Sequence, residues 1–150
     1  MEERFKVFTV LVSKINRNIK RIKTEEMREY NLKSPHVSCL YYIYKMGELT
    51  ATNLCDICGE DKAAISRTID YLQENGYIAR EESEKKHYNS QLSLTKKGKS
   101  VSEKIAQKID KIVDLASLSL DNETRMAMYK GLTLINDNLE DYCKNYEGEK

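Results

Sequence analysis

Three groups of residues have the types and spacing to do chemistry. Cys55-Asp56-Ile57-Cys58 is a C-x-x-C, a spacing that elsewhere holds zinc or exchanges thiols. Lys62, Ala63, Ser66 and Arg67 bring a cation, a small side chain, a hydroxyl and a guanidinium into two turns of chain. That mixture reads base edges and phosphates in a DNA groove. Lys85, Lys86, His87 and Tyr88 make a cationic cluster with a phenol beside it. No enzyme constellation accompanies them. The six glycines stand singly at 47, 59, 76, 98, 131 and 148, so no loop is built to cradle a phosphate. No Ser-His-acid set or carboxylate pair has a defensible spacing.

The cysteines have a bland reading and a sharp one. Buried reduced cysteine packs as a small hydrophobe, which suits Cys55 and Cys58 on a core-facing helix and Cys39 beside Leu40. A thiol or metal sensor built on Cys55 and Cys58 is the rival. Zinc would need two further ligands, and His36 and His87 are the only histidines, so neither a metal nor another cofactor is expected. Cys143, near the C-terminus, stands where two subunits could approach and form an intersubunit disulfide. His36 falls in the first turn of a helix, where a positive ring is disfavoured and a neutral solvated one is expected.

The elements that must position these groups are mostly helical. Phe5, Phe8, Val12, Ile15, Ile19 and Ile22 recur at spacings of 3 and 4, the seam of a helix that needs a partner to cover it. Seven Lys and Arg between residues 4 and 23 surround that seam with no acid among them. Ser34-Pro35 reads as a helix start, with Ser as the cap. The helix carries Val37, Leu40, Tyr41, Ile43 and Tyr44 to Gly47. Its Tyr41-Tyr42-Ile43-Tyr44 cluster cannot face one core, so a hydroxyl meets solvent, a cavity or a subunit boundary. Thr50 caps a short helix to Cys58, and a second helix from Asp61 shows Ile65, Ile69 and Leu72 inward before Asn75-Gly76 stops it. Tyr77–Arg80 and Ser90–Leu94 alternate like strands around a polar tip, which reads as a hairpin. Thr95 caps a helix with Val101, Ile105, Ile109, Ile112 and Leu115 inward. Asp121 caps another, with Met128, Leu132, Ile135, Leu139 and Tyr142 in a second seam.

Two short helices, a glycine turn and a hairpin make residues 50–95 a helix-turn-helix with a β-wing, in which the second helix can enter a major groove. The fold class expected is mainly α with a small β-wing, with further helices at both ends. Composition agrees with one domain over 1–150. Six Gly and one Pro are too few for a turn-rich β sandwich, and no apolar run approaches a membrane span of ~18 residues. Met1-Glu2-Glu3 opens no signal peptide, and four cysteines without one fit a reducing cytoplasm. Charge is less helpful. Lys plus Arg is 25 against 24 for Asp plus Glu, and between residues 60 and 95 seven acids outnumber five bases. DNA-binding modules are normally basic, so a protein-interaction module on a winged-helix scaffold is the second reading of that region.

The chain resembles the MarR family of bacterial winged-helix regulators over roughly residues 5–143. The landmarks are Gly47-Glu48-Leu49-Thr50 leading to Asn53-Leu54-Cys55, Ile65-Ser66-Arg67-Thr68-Ile69-Asp70-Tyr71-Leu72, and Gly76-Tyr77-Ile78-Ala79-Arg80. Leu94-Thr95-Lys96-Lys97-Gly98 and the closing Asn138-Leu139 helix complete them. The resemblance implies a homodimer held by helices at 5–28 and 96–146, with a winged-helix DNA-binding region at 34–95 on a pseudo-palindromic double-stranded operator. It also implies a repressor, released by a small-molecule effector or by cysteine oxidation, with the effector cleft next to the tyrosine-bearing helix. The family often places Asp-x-Arg in the wing, where this chain has Lys86 and Tyr88. Lys85, Lys86 or His87 would then meet phosphates, and Tyr88 either donates its hydroxyl or packs beneath the wing.

Overall fold

Local signals account for most of the helix boundaries in the computed structural model, which describes residues 2–81 and 89–148. The elements are α1 (Glu2–Glu26), a 3₁₀ turn (Arg28–Tyr30), α2 (Ser34–Met46), α3 (Ala51–Cys58) and α4 (Lys62–Glu74). Strands β1 (Ile78–Arg80) and β2 (Leu92–Leu94) follow, then α5 (Lys96–Ala116) and α6 (Asn122–Glu147). Thr50 and Asn53 cap α3 reciprocally, each side-chain oxygen accepting from the other's backbone N–H at 3.1 and 2.9 Å. Asp121 Oδ1 accepts from Thr124 N–H at 2.7 Å to start α6. The mainly helical class with a small two-stranded wing is what the model shows.

The start of α2 differs from the expected cap. The N-cap is Lys33, and Ser34 lies inside the helix with its N–H donated to Thr24 Oγ1 of α1 at 3.1 Å. His36 Nδ1 reaches back to accept the Lys33 N–H at 2.9 Å. Two side chains from elsewhere thus supply the acceptors a Ser cap would have supplied.

The chain divides into two compact units, Met1–Ile109 and Asp110–Lys150. The first holds the core. Leu40, Leu54, Ile65, Ile69, Leu72, Leu92 and Ile105 are essentially inaccessible, as are Met27 and Leu32 of the α1–α2 connection. Residues far along the chain clamp that connection. Tyr71 Oη donates to Asn31 O at 2.7 Å, and Lys108 Nζ to Glu26 O at 2.9 Å. Lys104 Nζ lies 2.9 Å from Tyr30 Oη. The inward stripe of α5 ends sooner than its periodicity suggests: Val101 and Ile105 are buried, Ile109 is partly buried and packs on the core, and Leu115 is exposed. Beyond Ile109 the helix has left the core it was packing on.

The antiparallel sheet pairs Ile78 with Leu94, Ala79 with Ser93 and Arg80 with Leu92. On its other side β2 meets a single residue of the α2–α3 turn. Leu49 N–H donates to Leu92 O at 3.4 Å and Leu92 N–H to Leu49 O at 2.8 Å. Thr95 joins wing to α5: its Oγ1 accepts from Gly98 N–H at 3.0 Å and donates to Gly76 O at 2.6 Å.

In the second unit α6 has no buried residue, and Leu132, Ile135 and Leu139 are all exposed. The α1 seam is similarly uncovered, with Val12, Ile15 and Ile19 at 44%, 55% and 44% exposure. No helix of the described residues is long and apolar enough to cross a membrane.

Candidate nucleic-acid interface

The site is assembled from α3, α4 and the turn between them. Gly59 ends α3 in a left-handed conformation (φ 63°) and donates its N–H to Cys55 O at 2.9 Å. Only Gly adopts that geometry without a Cβ clash, so the chain can reverse within three residues. Asp61 Oδ1 then accepts from Ala64 N–H at 2.7 Å and starts α4. At the other end Gly76 (φ 74°) lets Tyr77 N–H turn back to Leu72 O at 2.9 Å.

Between those stops α4 has two faces. Ile65, Thr68, Ile69 and Leu72 are buried, and Thr68 Oγ1 donates to Ala64 O at 2.9 Å, which leaves its hydroxyl satisfied. Lys62, Ala63, Ser66 and Arg67 are all exposed. At 100° per residue they occupy an arc of roughly 140°, so the four candidates do share one face. Asp70 falls inside that arc and Glu74 just beyond the Ser66 line, and both are exposed. The acids are therefore set apart by distance along the axis, roughly 12 Å from Lys62 to Asp70 at 1.5 Å per residue, and not by face.

Beside Arg67 lies an open groove of about 500 Å³ that also takes in Asn31, Lys33, His36, Glu60 and Tyr71. His36 is half-buried here instead of solvated. Its ring stacks on Tyr71 with centroids 4.1 Å apart and planes 19° apart. Burial, and then the positive Lys33, lower its pKa below the ordinary 6.5, so the ring is neutral, as the helix start requires. The stack joins the start of α2 to α4, a link with no trace in local sequence.

A second, smaller cavity of about 160 Å³ lies behind α3, lined by Lys20, Lys23, Ser38, Tyr42, Cys58 and Glu60 among others. Tyr42 is thus the member of the tyrosine cluster that meets a cavity, and burial raises the pKa of its hydroxyl. Lys23 Nζ donates to Ser38 Oγ at 2.9 Å. Cys39 is fully buried, Cys55 and Cys58 are half-buried against the core, and Cys143 is exposed. All four thiols are free, and the described residues hold no cluster of three or more His, Cys, Asp or Glu fit for a metal. The wing candidates Lys85, Lys86, His87 and Tyr88 lie outside the described residues.

A short helix bracing a second one with an open outer face, followed by a strand pair, defines a winged helix-turn-helix protein. Solved structures with this fold include a MarR family transcriptional regulator from Listeria monocytogenes in complex with a 26mer DNA (23% identity, 87% of both chains, TM-score 0.79). A MarR protein from Peptoclostridium difficile (19% identity, 90% of this chain and 88% of that one, TM-score 0.81) is also similar. So is a MarR family regulator from Neisseria meningitidis (18%, 91% and 96%, TM-score 0.75). No curated protein matches the chain. The MarR family model matches residues 30–87; that segment belongs to the MarR family, and the fold around it is the fold of MarR transcriptional regulators.

Proposed function

We propose that the chain is a homodimeric, sequence-specific regulator of transcription that binds a pseudo-palindromic DNA operator, acts as a repressor and is released by a small ligand. The observation that carries the reading is the outer face of α4, where Lys62, Ala63, Ser66 and Arg67 stand exposed on one arc above a buried stripe. Lys62 and Arg67 would meet phosphates and base edges, Ala63 would let the helix approach, and Ser66 would bond to either. The region 34–95 serves as the DNA-binding part, with Lys85, Lys86, His87 and Tyr88 as its wing contacts. The helices at 5–28 and 96–146 serve the dimer. The open apolar residues of α1 and α6 support a second copy, because apolar rows of this length in water favour association. The cavity beside Tyr42 supports release by a small molecule, and the DNA-bound Listeria relative supports the partner.

Fluorescence anisotropy with DNA from immediately upstream of the protein's own reading frame, beside a scrambled fragment, tests this reading. Selective binding that weakens steeply with salt is expected, and Arg67→Ala is expected to weaken it by about 1–3 kcal/mol while leaving the oligomeric state unchanged. The position of Asp70 and Glu74 on the candidate face favours one competing reading, a protein-interaction module. Equal or absent binding to all fragments, at every salt concentration, would select that module.

A further inference from the structure

The sequence pairs Cys55 with Cys58, but the fold pairs Cys58 with Cys39. Cys58 is the last residue of α3, half-buried and on the wall of the 160 Å³ cavity. Cys39 comes from the middle of α2, is wholly inaccessible, and hydrogen-bonds its thiol to the Cys58 sulfur. One sulfur therefore faces space that holds several water-sized molecules, and the other lies directly behind it, out of reach of solvent. Lys20 and Lys23 line the same cavity, and the Lys23 charge is close enough to act on the Cys58 sulfur. An accessible thiol beside a cation, backed by a second thiol in contact, is the arrangement of a peroxide-reactive cysteine with its resolving partner.

We propose that Cys58 and Cys39 form a dithiol switch oxidised by small hydroperoxides, and that the resulting Cys39–Cys58 disulfide weakens DNA binding. The Cys58 thiolate attacks the terminal oxygen of the hydroperoxide, so an S–O bond forms and the O–O bond breaks. The alkoxide or hydroxide leaves and takes a proton from water. Cys58 is then a sulfenic acid. The Cys39 sulfur attacks the Cys58 sulfur, the S–S bond forms, the S–O bond breaks, and hydroxide departs with the Cys39 proton as water. Two electrons pass from the two sulfurs to the peroxide. The roles follow from the environments. The hydrogen bond from Cys39, followed by the Lys23 charge, lowers the Cys58 pKa against the effect of burial, whereas the same bond and burial raise that of Cys39.

The position of the bond ties it to α4. A disulfide draws the two sulfurs from hydrogen-bond contact to about 2.05 Å, and Cys58 is followed at once by the left-handed Gly59 and the Asp61 cap. Shifting the end of α3 therefore moves the entry of the helix that would read DNA. This second half rests on the proposed DNA function, and the first half does not.

The test treats reduced full-length protein with hydrogen peroxide, blocks remaining thiols and maps tryptic peptides. Cys39 lies in peptide 34–45, and Cys55 and Cys58 share peptide 46–62. The expected product joins the two peptides and persists in a Cys55→Ala, Cys143→Ala background. Cys39→Ala should leave a dimedone-reactive sulfenic acid at Cys58, and Cys58→Ser should abolish the cross-link. The pH profile of Cys58 alkylation in the unaltered protein needs no variant, and its midpoint is expected below that of Cys143. A bond confined to peptide 46–62, a Cys143 dimer alone, or unreacted thiols would overturn the site. Anisotropy of the oxidised protein is expected to show affinity lower on the order of tenfold, a usual size for coupled sites. A cross-linked protein with unchanged affinity would overturn the switch. Failure of the reduced protein to bind any DNA, with the cross-link formed, would count against the DNA function alone.

Discussion

Gly98→Ala separates two opposed physical effects at the junction of wing and α5. Gly98 lies within α5, where Ala is favoured over Gly by about 1 kcal/mol, so helix propensity alone predicts a stabilised protein. The structure predicts the reverse. A Cβ at this position would overlap the Tyr77 carbonyl oxygen and stand 2.8 Å from its carbon, against an ordinary carbon–carbon contact of about 3.5–4.0 Å. Backbone must therefore move by roughly 1 Å. That carbonyl accepts from Thr95 N–H at 3.1 Å and from Thr95 Oγ1 at 3.2 Å, so moving it weakens two hydrogen bonds, worth about 0.5–1.5 kcal/mol each. Overpacking adds about 1–3 kcal/mol. After subtracting the propensity gain, the variant should lose about 2 kcal/mol. Urea unfolding followed by circular dichroism, at matched protomer concentration, should show a lower midpoint with an unchanged slope. An equal or higher midpoint would mean that the junction is slack and would refute the reasoning.

Stability should also depend on His36. Its folded pKa is depressed below 6.5, so the unfolded chain binds the proton more readily; the contribution is fully present above pH ~6.5 and is lost as pH falls through the folded value. Urea midpoints at pH 7.5 and 5.5 should therefore fall less in His36→Gln than in the parent. Asp61→Ala should cost about 1 kcal/mol by removing the α4 cap, whereas Asp61→Asn should cost a few tenths, and chemical unfolding distinguishes them. Ile15→Asp places a charge in the open seam of α1. If that seam is covered by a second copy, sedimentation equilibrium should show dimer dissociation enhanced on the order of a hundredfold, because unpaired buried charge costs several kcal/mol.

Features set within a few residues could be read from the sequence. The α4 boundaries follow from Asp61 and from Asn75-Gly76, the α3 cap from Thr50, and the α4 inner stripe from the 4-and-3 spacing of Ile65, Ile69 and Leu72. Features that join distant segments could not. Met27 and Leu32 are deep in the core, yet they stand among Glu25, Glu26, Arg28 and Glu29 or beside Asn31 and Lys33 with no apolar period to mark them. His36 gives no hint of Tyr71, thirty-five positions away. The C-x-x-C spacing drew attention to Cys55 as the partner of Cys58, when the sulfur in contact is on another helix. The arc shared by Lys62, Ala63, Ser66 and Arg67 was legible because helical geometry is periodic. That same periodicity places Asp70 on their face, a consequence the sequence pattern already contained.

The two hydrogen bonds between Leu49 and Leu92 make the region a fixed ruler. They fasten the inner strand of the wing to the turn that launches α3 through main-chain atoms, which every substitution except proline retains. In a DNA reader of the proposed kind, the separation between the groove-entering helix and the backbone-touching wing is then set by peptide geometry. Side-chain changes on α4 can alter which bases are preferred without altering that span. New specificities can arise one residue at a time on a gauge that stays the same length.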